Sequence, residues 1–273
     1  MHPGWIVPDW PAPAGVHALC TTRAGGASAA PYDSLNLGDH VGDAPGAVAA
    51  NRGTLQQGLA RQSPGARAVF LRQVHGVQCL HLGASTPDGA PADACVSNAP
   101  GRVCTIMVAD CLPVLLAHRG GGVVAAAHAG WRGLAGAAGQ GVLESVFKEF
   151  SALALSGQAP AAPETIARDT LAWLGPCIGP QAFEVGGEVR AAFCDHDPGA
   201  QAHFSAQAGG KFLADLPALA RRRLAALGIT AIHGNDGSAP WCTVANPSRF
   251  FSHRRDGAAL GGSGRFAACV WIA

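Results

Sequence analysis

Val103-Cys104-Thr105-Ile106-Met107-Val108-Ala109-Asp110-Cys111-Leu112-Pro113-Val114-Leu115-Leu116-Ala117 decides how this chain is read. Two apolar, strand-like runs, Val103 to Val108 and Leu112 to Ala117, flank an Asp-Cys pair. A strand end that swaps Val or Ile for Asp-Cys gives up packing for chemistry. The next run, Val123 to Ala127, ends in Ala127-His128-Ala129-Gly130-Trp131-Arg132-Gly133, and upstream Val69 to Val74 reads as a strand with His75 at its end. Two imidazoles and one thiolate suit zinc, and three protein ligands leave a fourth position for water or substrate. On residue types alone the alternative stays open. A lone Cys is often an inert buried hydrophobe, and the spacing of His75, Cys111 and His128 matches no zinc-finger or zincin pattern.

Outward from these stretches, Val16 to Thr22 reads as a strand before the Gly-rich Ala24 to Ser28 loop, and Gly46 to Ala60 has helical spacing. Ala94 to Ser97 and Thr170 to Leu174 read as strands, with closing strands at Val244 to Ala245, Phe250 to Ser252 and Phe266 to Ile272. Helices are expected over Leu134 to Phe150, Val185 to Cys194 and Leu216 to Leu227, the last capped by Asp215 with Pro217 in its first turn. Residues 151–164 read as a surface loop. Strands outnumber helices without strict alternation, so the class is α+β and not a doubly wound parallel sheet. A single domain over residues 1–273 is expected.

With 19 basic and 18 acidic residues the net charge is +1, and the longest run of like charge is Arg221-Arg222-Arg223. No basic stripe points to nucleic acid. Val103 to Ala117, the longest apolar stretch, is too short to span a bilayer and is broken by Asp110. The start Met1-His2-Pro3-Gly4-Trp5 lacks the pattern of a secretion signal. Nine cysteines, odd in number and never closely paired, fit reduced thiols in a cytoplasm. Dinucleotide, Walker, nucleophile-elbow, His-Glu-x-x-His and Cys-x-x-Cys signatures are absent, as is the usual zinc-deaminase pattern.

Around the three residues, Asp110 can orient an imidazole, accept a proton, or simply close a strand-end turn. Gln73 lies two residues before His75 and can contact substrate. Arginine forks suit phosphate; of Arg23, Arg52, Arg132, Arg254, Arg255 and Arg265, the first choices are Arg23 and Arg132, in loops at strand ends. Asn36 can hydrogen-bond a sugar hydroxyl or serve a turn. Cys177, in Gly175-Pro176-Cys177-Ile178-Gly179, reads as part of a tight turn. Phe183 and Phe251 can sandwich a base or pack in the core.

The chain resembles the YfiH-like family, described as polyphenol oxidase or laccase-domain proteins and as purine nucleoside phosphorylases. Besides the His75, Cys111 and His128 segments, the resemblance runs through Thr21-Thr22-Arg23-Ala24-Gly25-Gly26, Ser34-Leu35-Asn36-Leu37-Gly38, Gly42-Asp43, Asn51-Arg52, Gly175-Pro176-Cys177-Ile178-Gly179, Phe183-Glu184-Val185-Gly186 and Phe251-Ser252-His253-Arg254-Arg255-Asp256-Gly257, in the family's order. It implies one domain of layered mixed β-sheets flanked by helices, an α/β/β/α architecture. It implies His75, Cys111 and His128 as catalytic residues and ligands of zinc, with copper also described, and Asp110 beside Cys111 is a catalytic candidate by its position alone. It further implies phosphorolysis of adenosine, inosine, guanosine or 5′-methylthioadenosine, with adenosine deamination beside it, in a monomer or homodimer. Its rivals are a copper oxidoreductase acting on phenols, a cysteine hydrolase using Cys111 with a histidine base, and a non-enzymatic assembly factor.

Overall fold

Strand β5 (Arg102–Val108) carries two faces at once. Val103 and Met107 point into one apolar cluster, and Cys104, Ile106 and Val108 into another, the period-two alternation of a strand buried on both sides. A computed structural model describes residues 2, 4–156 and 163–273. Its elements, in chain order, are β1 (Val16–Cys20), α1 (Pro45–Gln62), β2 (Arg67–Phe70), β3 (Cys79–His81), β4 (Ala94–Ser97), β5, β6 (Leu112–His118), β7 (Val124–Ala129), α2 (Trp131–Ala135) and α3 (Val142–Ser156). After these come α4 (Pro163–Arg168), β8 (Thr170–Leu174), β9 (Glu184–Val185), α5 (Gly187–Cys194), β10 (Phe204–Ala206), β11 (Phe212–Ala214), α6 (Leu216–Ala226), β12 (Ala231–Gly234), α7 (His253–Leu260) and β13 (Phe266–Ile272).

The strands form a four-stranded sheet in the order β1-β13-β5-β2 and a six-stranded sheet in the order β12-β8-β6-β7-β4-β3. A small third sheet has the order β10-β11-β9. Both large sheets mix parallel and antiparallel pairs: β2 runs parallel to β5, and β13 antiparallel to it. Leu55 and Leu59 of α1 cover the outer face of the first sheet, against Leu19, Ala267, Cys269 and Trp271. Between the sheets, Cys104, Ile106, Ala268 and Val270 meet Leu115, Ala117, Val124 and Ala126. On the far side Val114, Leu116, Ala125 and Ala127 meet Leu143, Val146 and Phe150 of α3 and Leu219 and Leu224 of α6. The architecture is therefore the expected α/β/β/α stack of mixed sheets. Burying a side chain such as Phe150 completely contributes ~1.5–3 kcal/mol to it.

Several sequence expectations need correction. The strand expected over Val69 to Val74 ends at Phe70, because the next residues take other partners: Arg72 N–H bonds Ala90 O, and the Gln73 side chain bonds the Met107 backbone. The helix expected from Leu134 to Phe150 is split into α2 and α3. Gly136 (φ 65°), Ala138 (φ 50°) and Gly139 (φ 74°) turn the chain, and a β-carbon on Gly141 would lie 2.2 Å from Leu134 O. The loop expected over 151–164 is mostly helix at its edges: α3 continues to Ser156, carried by buried Ala154, and α4 begins at Pro163. Residues 157–162 lie outside the described residues. Val244 to Ala245 and Phe250 to Ser252 are not strands: Phe250 N–H bonds Asn246 O, and Ser252 caps α7 by accepting from Arg255 N–H at 3.1 Å. Asp215 caps α6 as expected, its side chain accepting from Ala218 N–H at 2.9 Å.

Candidate metal-binding active site

The link from β5 to β6 is the place where the chain leaves the four-stranded sheet for the six-stranded one, and Cys111 stands on it. Asp110 makes the crossover with φ 87°, a conformation costly for a non-glycine residue. His128 lies inside β7, paired in register with Pro113. Its neighbours Ala127 and Ala129 face α3, so His128 faces the space between the sheets. His75 lies in the loop after β2, at φ 60°.

These three side chains converge. Their potential ligand atoms all lie within 4.8 Å of one another. Cys111 Sγ is 3.8 Å from His75 Nε2, and the two imidazole rings meet edge to face with centroids 4.8 Å apart. A tetrahedral ion with bonds of ~2.0–2.3 Å to two nitrogens and one sulfur requires ligand separations of ~3.3–3.6 Å, so the group would have to draw together by ~1 Å at its widest. The approach depends on a bare backbone: a β-carbon on Gly130 would stand 2.9 Å from Cys111 Sγ and 3.1 Å from His75 Cδ2. Two imidazoles and a thiolate form a donor set suited to zinc and acceptable to copper. His128 is buried and His75 exposed, which leaves one side of the group open to ligand.

Charge reinforces the grouping. Burial pushes the Cys111 thiol upward, but the His128 and His75 imidazoles outweigh it and bring its pKa down to about 6. Burial alone would lower His128, yet the Cys111 sulfur and the Asp93 carboxylate raise it to about 9. Asp93 is itself fully buried, which works to raise its pKa. The bonds from His128 Nδ1 (2.8 Å), Gly76 N–H (2.7 Å) and Val74 N–H (3.1 Å) instead hold the carboxyl below its ordinary value. Sequence reasoning missed Asp93. Its one signal is a carboxylate set directly before the apolar β4.

Asp110 takes a different part. Its carboxylate accepts from the Thr243 hydroxyl and from the Arg254 N–H in the first turn of α7, both at 2.6 Å. The imidazole-orienting carboxylate is Asp93, and Asp110 fastens the crossover to α7. Beside the triad lies a cavity of about 410 Å³, within the ~300–1,000 Å³ typical of small-molecule sites. Asp110, Gln73 and Arg132 line it, with Phe183, Arg254 and Arg265.

Two expected substrate contacts are elsewhere. The Arg23 guanidinium is spent on Asp33 and the Pro247 carbonyl, over the Phe251 ring, beside a separate shallow pocket. Asn36 is fully buried and satisfied by Gly38, Asp43 and Arg265 N–H. Arg52 is held by Leu37 O and Asp39, and Arg255 by Asp256, Thr243 O and Phe250 O. Gln73 is at the cavity, but its amide exchanges two bonds with Met107 and so braces the His75 loop. Arg132 is exposed, stacked over Trp131, and makes no side-chain hydrogen bond among the described residues. Phe251 is a core residue, and Phe183 alone of that pair reaches the cavity. Cys177 is buried, accepts from Asn235 Nδ2 at 3.3 Å and does not line the cavity, although its neighbour Ile178 does.

Fold and site together define a mixed α/β protein with a His-Cys-His group at the crossing between two sheets. A family model described as multi-copper polyphenol oxidoreductase laccase matches residues 17–273, and the chain belongs to that family. A Pseudomonas aeruginosa protein named purine nucleoside phosphorylase is 48% identical over 269 residues, covering 98% of each chain. The Escherichia coli protein named purine nucleoside phosphorylase YfiH is 48% identical over 267 residues, with the same coverage. Among solved structures, a Neisseria meningitidis protein superposes with a TM-score of 0.84 at 43% identity, covering 98% of this chain and 99% of its own. YlmD from Geobacillus stearothermophilus gives 0.81 at 28% identity, covering 100% and 97%.

Proposed function

We propose that this chain is a zinc-dependent purine nucleoside phosphorylase that converts a purine nucleoside and phosphate into free base and pentose-1-phosphate. Deamination of adenosine is its second activity. The observation that carries the reading is the joining of the His75, Cys111 and His128 group to a cavity lined by three arginines and by apolar side chains. The names borne by the Pseudomonas and Escherichia relatives, each nearly half identical along almost the whole chain, support it.

Phosphorolysis needs forked cationic donors for phosphate. Arg132, whose guanidinium makes no hydrogen bond among the described residues, is the first of them in our assignment. Arg254 and Arg265 add positive charge, although each spends donors on carbonyls: Ala182 and Glu184 for Arg254, Ser263 and Gly264 for Arg265. Phe183, Ile178 and Trp131 give the purine an apolar wall. Bound zinc would supply Lewis acidity and, for deamination, a water acidified toward neutral pH. Asp110 keeps Cys111 in place through α7 and Thr243. Nine free thiols support a reducing cytoplasm as the setting, and among the described residues no helix is long and apolar enough to cross a membrane.

Two rivals have separate tests. A Cys111 thiolate beside a charged His128 also suits a cysteine hydrolase. A multicopper oxidase needs several metal centres, whereas one His/Cys/Asp/Glu group of three is placed for metal among the described residues. Stoichiometric zinc in the purified protein favours the phosphorylase, bound copper the oxidase, and neither metal the hydrolase. The decisive assay incubates zinc-loaded protein with adenosine, with and without phosphate. Adenine and ribose-1-phosphate should form only with phosphate, and absence of both sinks the proposal.

A further inference from the structure

Asp93 is fully buried directly before β4, and every polar group its carboxylate meets is a donor. It accepts the N–H of Val74 (3.1 Å), His75 (2.9 Å) and Gly76 (2.7 Å), and Nδ1–H of His128 (2.8 Å). Its own backbone is fixed on the same two elements: its carbonyl accepts His128 N–H at 2.7 Å, and its N–H donates to Gln78 O at 3.0 Å. One side chain therefore touches the loop of one candidate ligand and the ring of another.

We propose that Asp93 is a positioning residue that holds His75 and His128 as one preorganised half of the metal site. The inference rests on the metal reading of the His75, Cys111 and His128 group. Only an acceptor-only group can satisfy four converging donors; an Asn in its place would turn an NH₂ toward at least one of them. A bond at Nδ1 also fixes the tautomer of His128, leaving the Nε2 lone pair free to face Cys111 and a metal. The same carboxylate keeps residues 74–76 in their tight bend, where His75 has φ 60°. Without it, that conformation relaxes and His75 leaves the group.

The test is zinc affinity, measured by competition with a chromogenic chelator, for wild type and Asp93→Asn. The variant should bind zinc about 10–100-fold more weakly, the usual effect of removing a partner behind a ligand. Thermal unfolding of the two metal-free proteins is followed in parallel. A fall in metal-free stability with zinc affinity unchanged would mean a purely structural role and would overturn the proposal. Should the variant fail to fold, nitrogen-resolved NMR of wild-type histidines decides: zinc on Nε2 of His128 with a proton on Nδ1 supports it, and the reverse overturns it. A wild-type protein that takes up no zinc overturns it together with the metal reading. Neither measurement uses turnover, so failure of the nucleoside activity is read separately.

Discussion

A β-carbon on Gly133 would stand 2.7 Å from the carbonyl oxygen of Gly76, so α2 and the His75 loop meet backbone to backbone. This contact brings Arg132 and His75 to the same cavity, and it leaves no side chain free to absorb a change. Gly133→Ala should therefore shift the loop, at about 1–3 kcal/mol of overpacking. Gly130→Ala presses on Cys111 and His75 directly. Both variants should keep a folded circular-dichroism signal and lose zinc on dialysis; full zinc retention in both would contradict the close packing described.

Cys111→Ala and Cys111→Ser should each lose zinc by more than the ~10–100-fold attributed to outer partners, and activity with it. Serine fails because its hydroxyl stays protonated at neutral pH. Cys177→Ala removes a buried thiol bonded to Asn235 and should cost about 1 kcal/mol of stability, with metal content intact. Metal analysis and urea unfolding separate the two effects. Equal loss of catalysis in a folded, zinc-replete Cys177→Ala protein would show that the thiols are wrongly assigned.

Arg132→Lys keeps the charge and loses the fork. The KM for phosphate should rise about tenfold, the loss of one charge-assisted hydrogen bond (~1.5 kcal/mol). Adenosine deamination, which uses water, should be less affected. Arg23→Lys breaks contacts to Asp33 and Pro247 and should lower stability while leaving the phosphate KM near wild type. Steady-state phosphate titrations of the two variants check the assignment, and a larger effect at Arg23 reverses it.

In metal-free protein, Cys111 should be the first of nine cysteines alkylated by iodoacetamide. Its pKa near 6 makes it a thiolate at neutral pH, whereas burial raises the half-buried Cys79 and Cys194 above their ordinary value. For a lowered pKa the charged form persists down to that value, so the rate should be flat around neutrality and fall as pH drops through about 6. Added zinc should protect. Peptide mapping that finds another cysteine modified first would contradict the charge pattern.

Much of this was legible in the residues because buried strands announce themselves. Val103 to Val108, Leu112 to Ala117, Thr170 to Leu174 and Phe266 to Ile272 have no other way to hide their side chains. Cys111 and His128 stood out as polar intrusions in apolar runs, but residue types left their role open, and the family resemblance of the flanking segments supplied the metal reading. His75 was found but set on a strand end, because its loop is held by the Gln73 amide and the Asp93 carboxylate, partners distant in sequence. Arg23 was misplaced because a Gly-rich loop invites an anion, while Asp33 and Pro247, which occupy its guanidinium, give no local sign. Asp93 was missed outright, since its importance lies in what converges on it in space.

The order of strands in the first sheet has a consequence for how the molecule comes into being. Strand β13 lies between β1 and β5, so Val16, made early on the ribosome, must wait for Ile272 before it has a neighbour. Until then β1 and β5 both present bare edges, the form in which strands pair with other chains. The crossover carrying Cys111 springs from β5, and a nascent chain lacking β13 has no finished support for it. The His75, Cys111 and His128 group therefore reaches its finished geometry only once β13 has paired, and any metal it takes in that geometry would be held by a chain whose last strand is already in place.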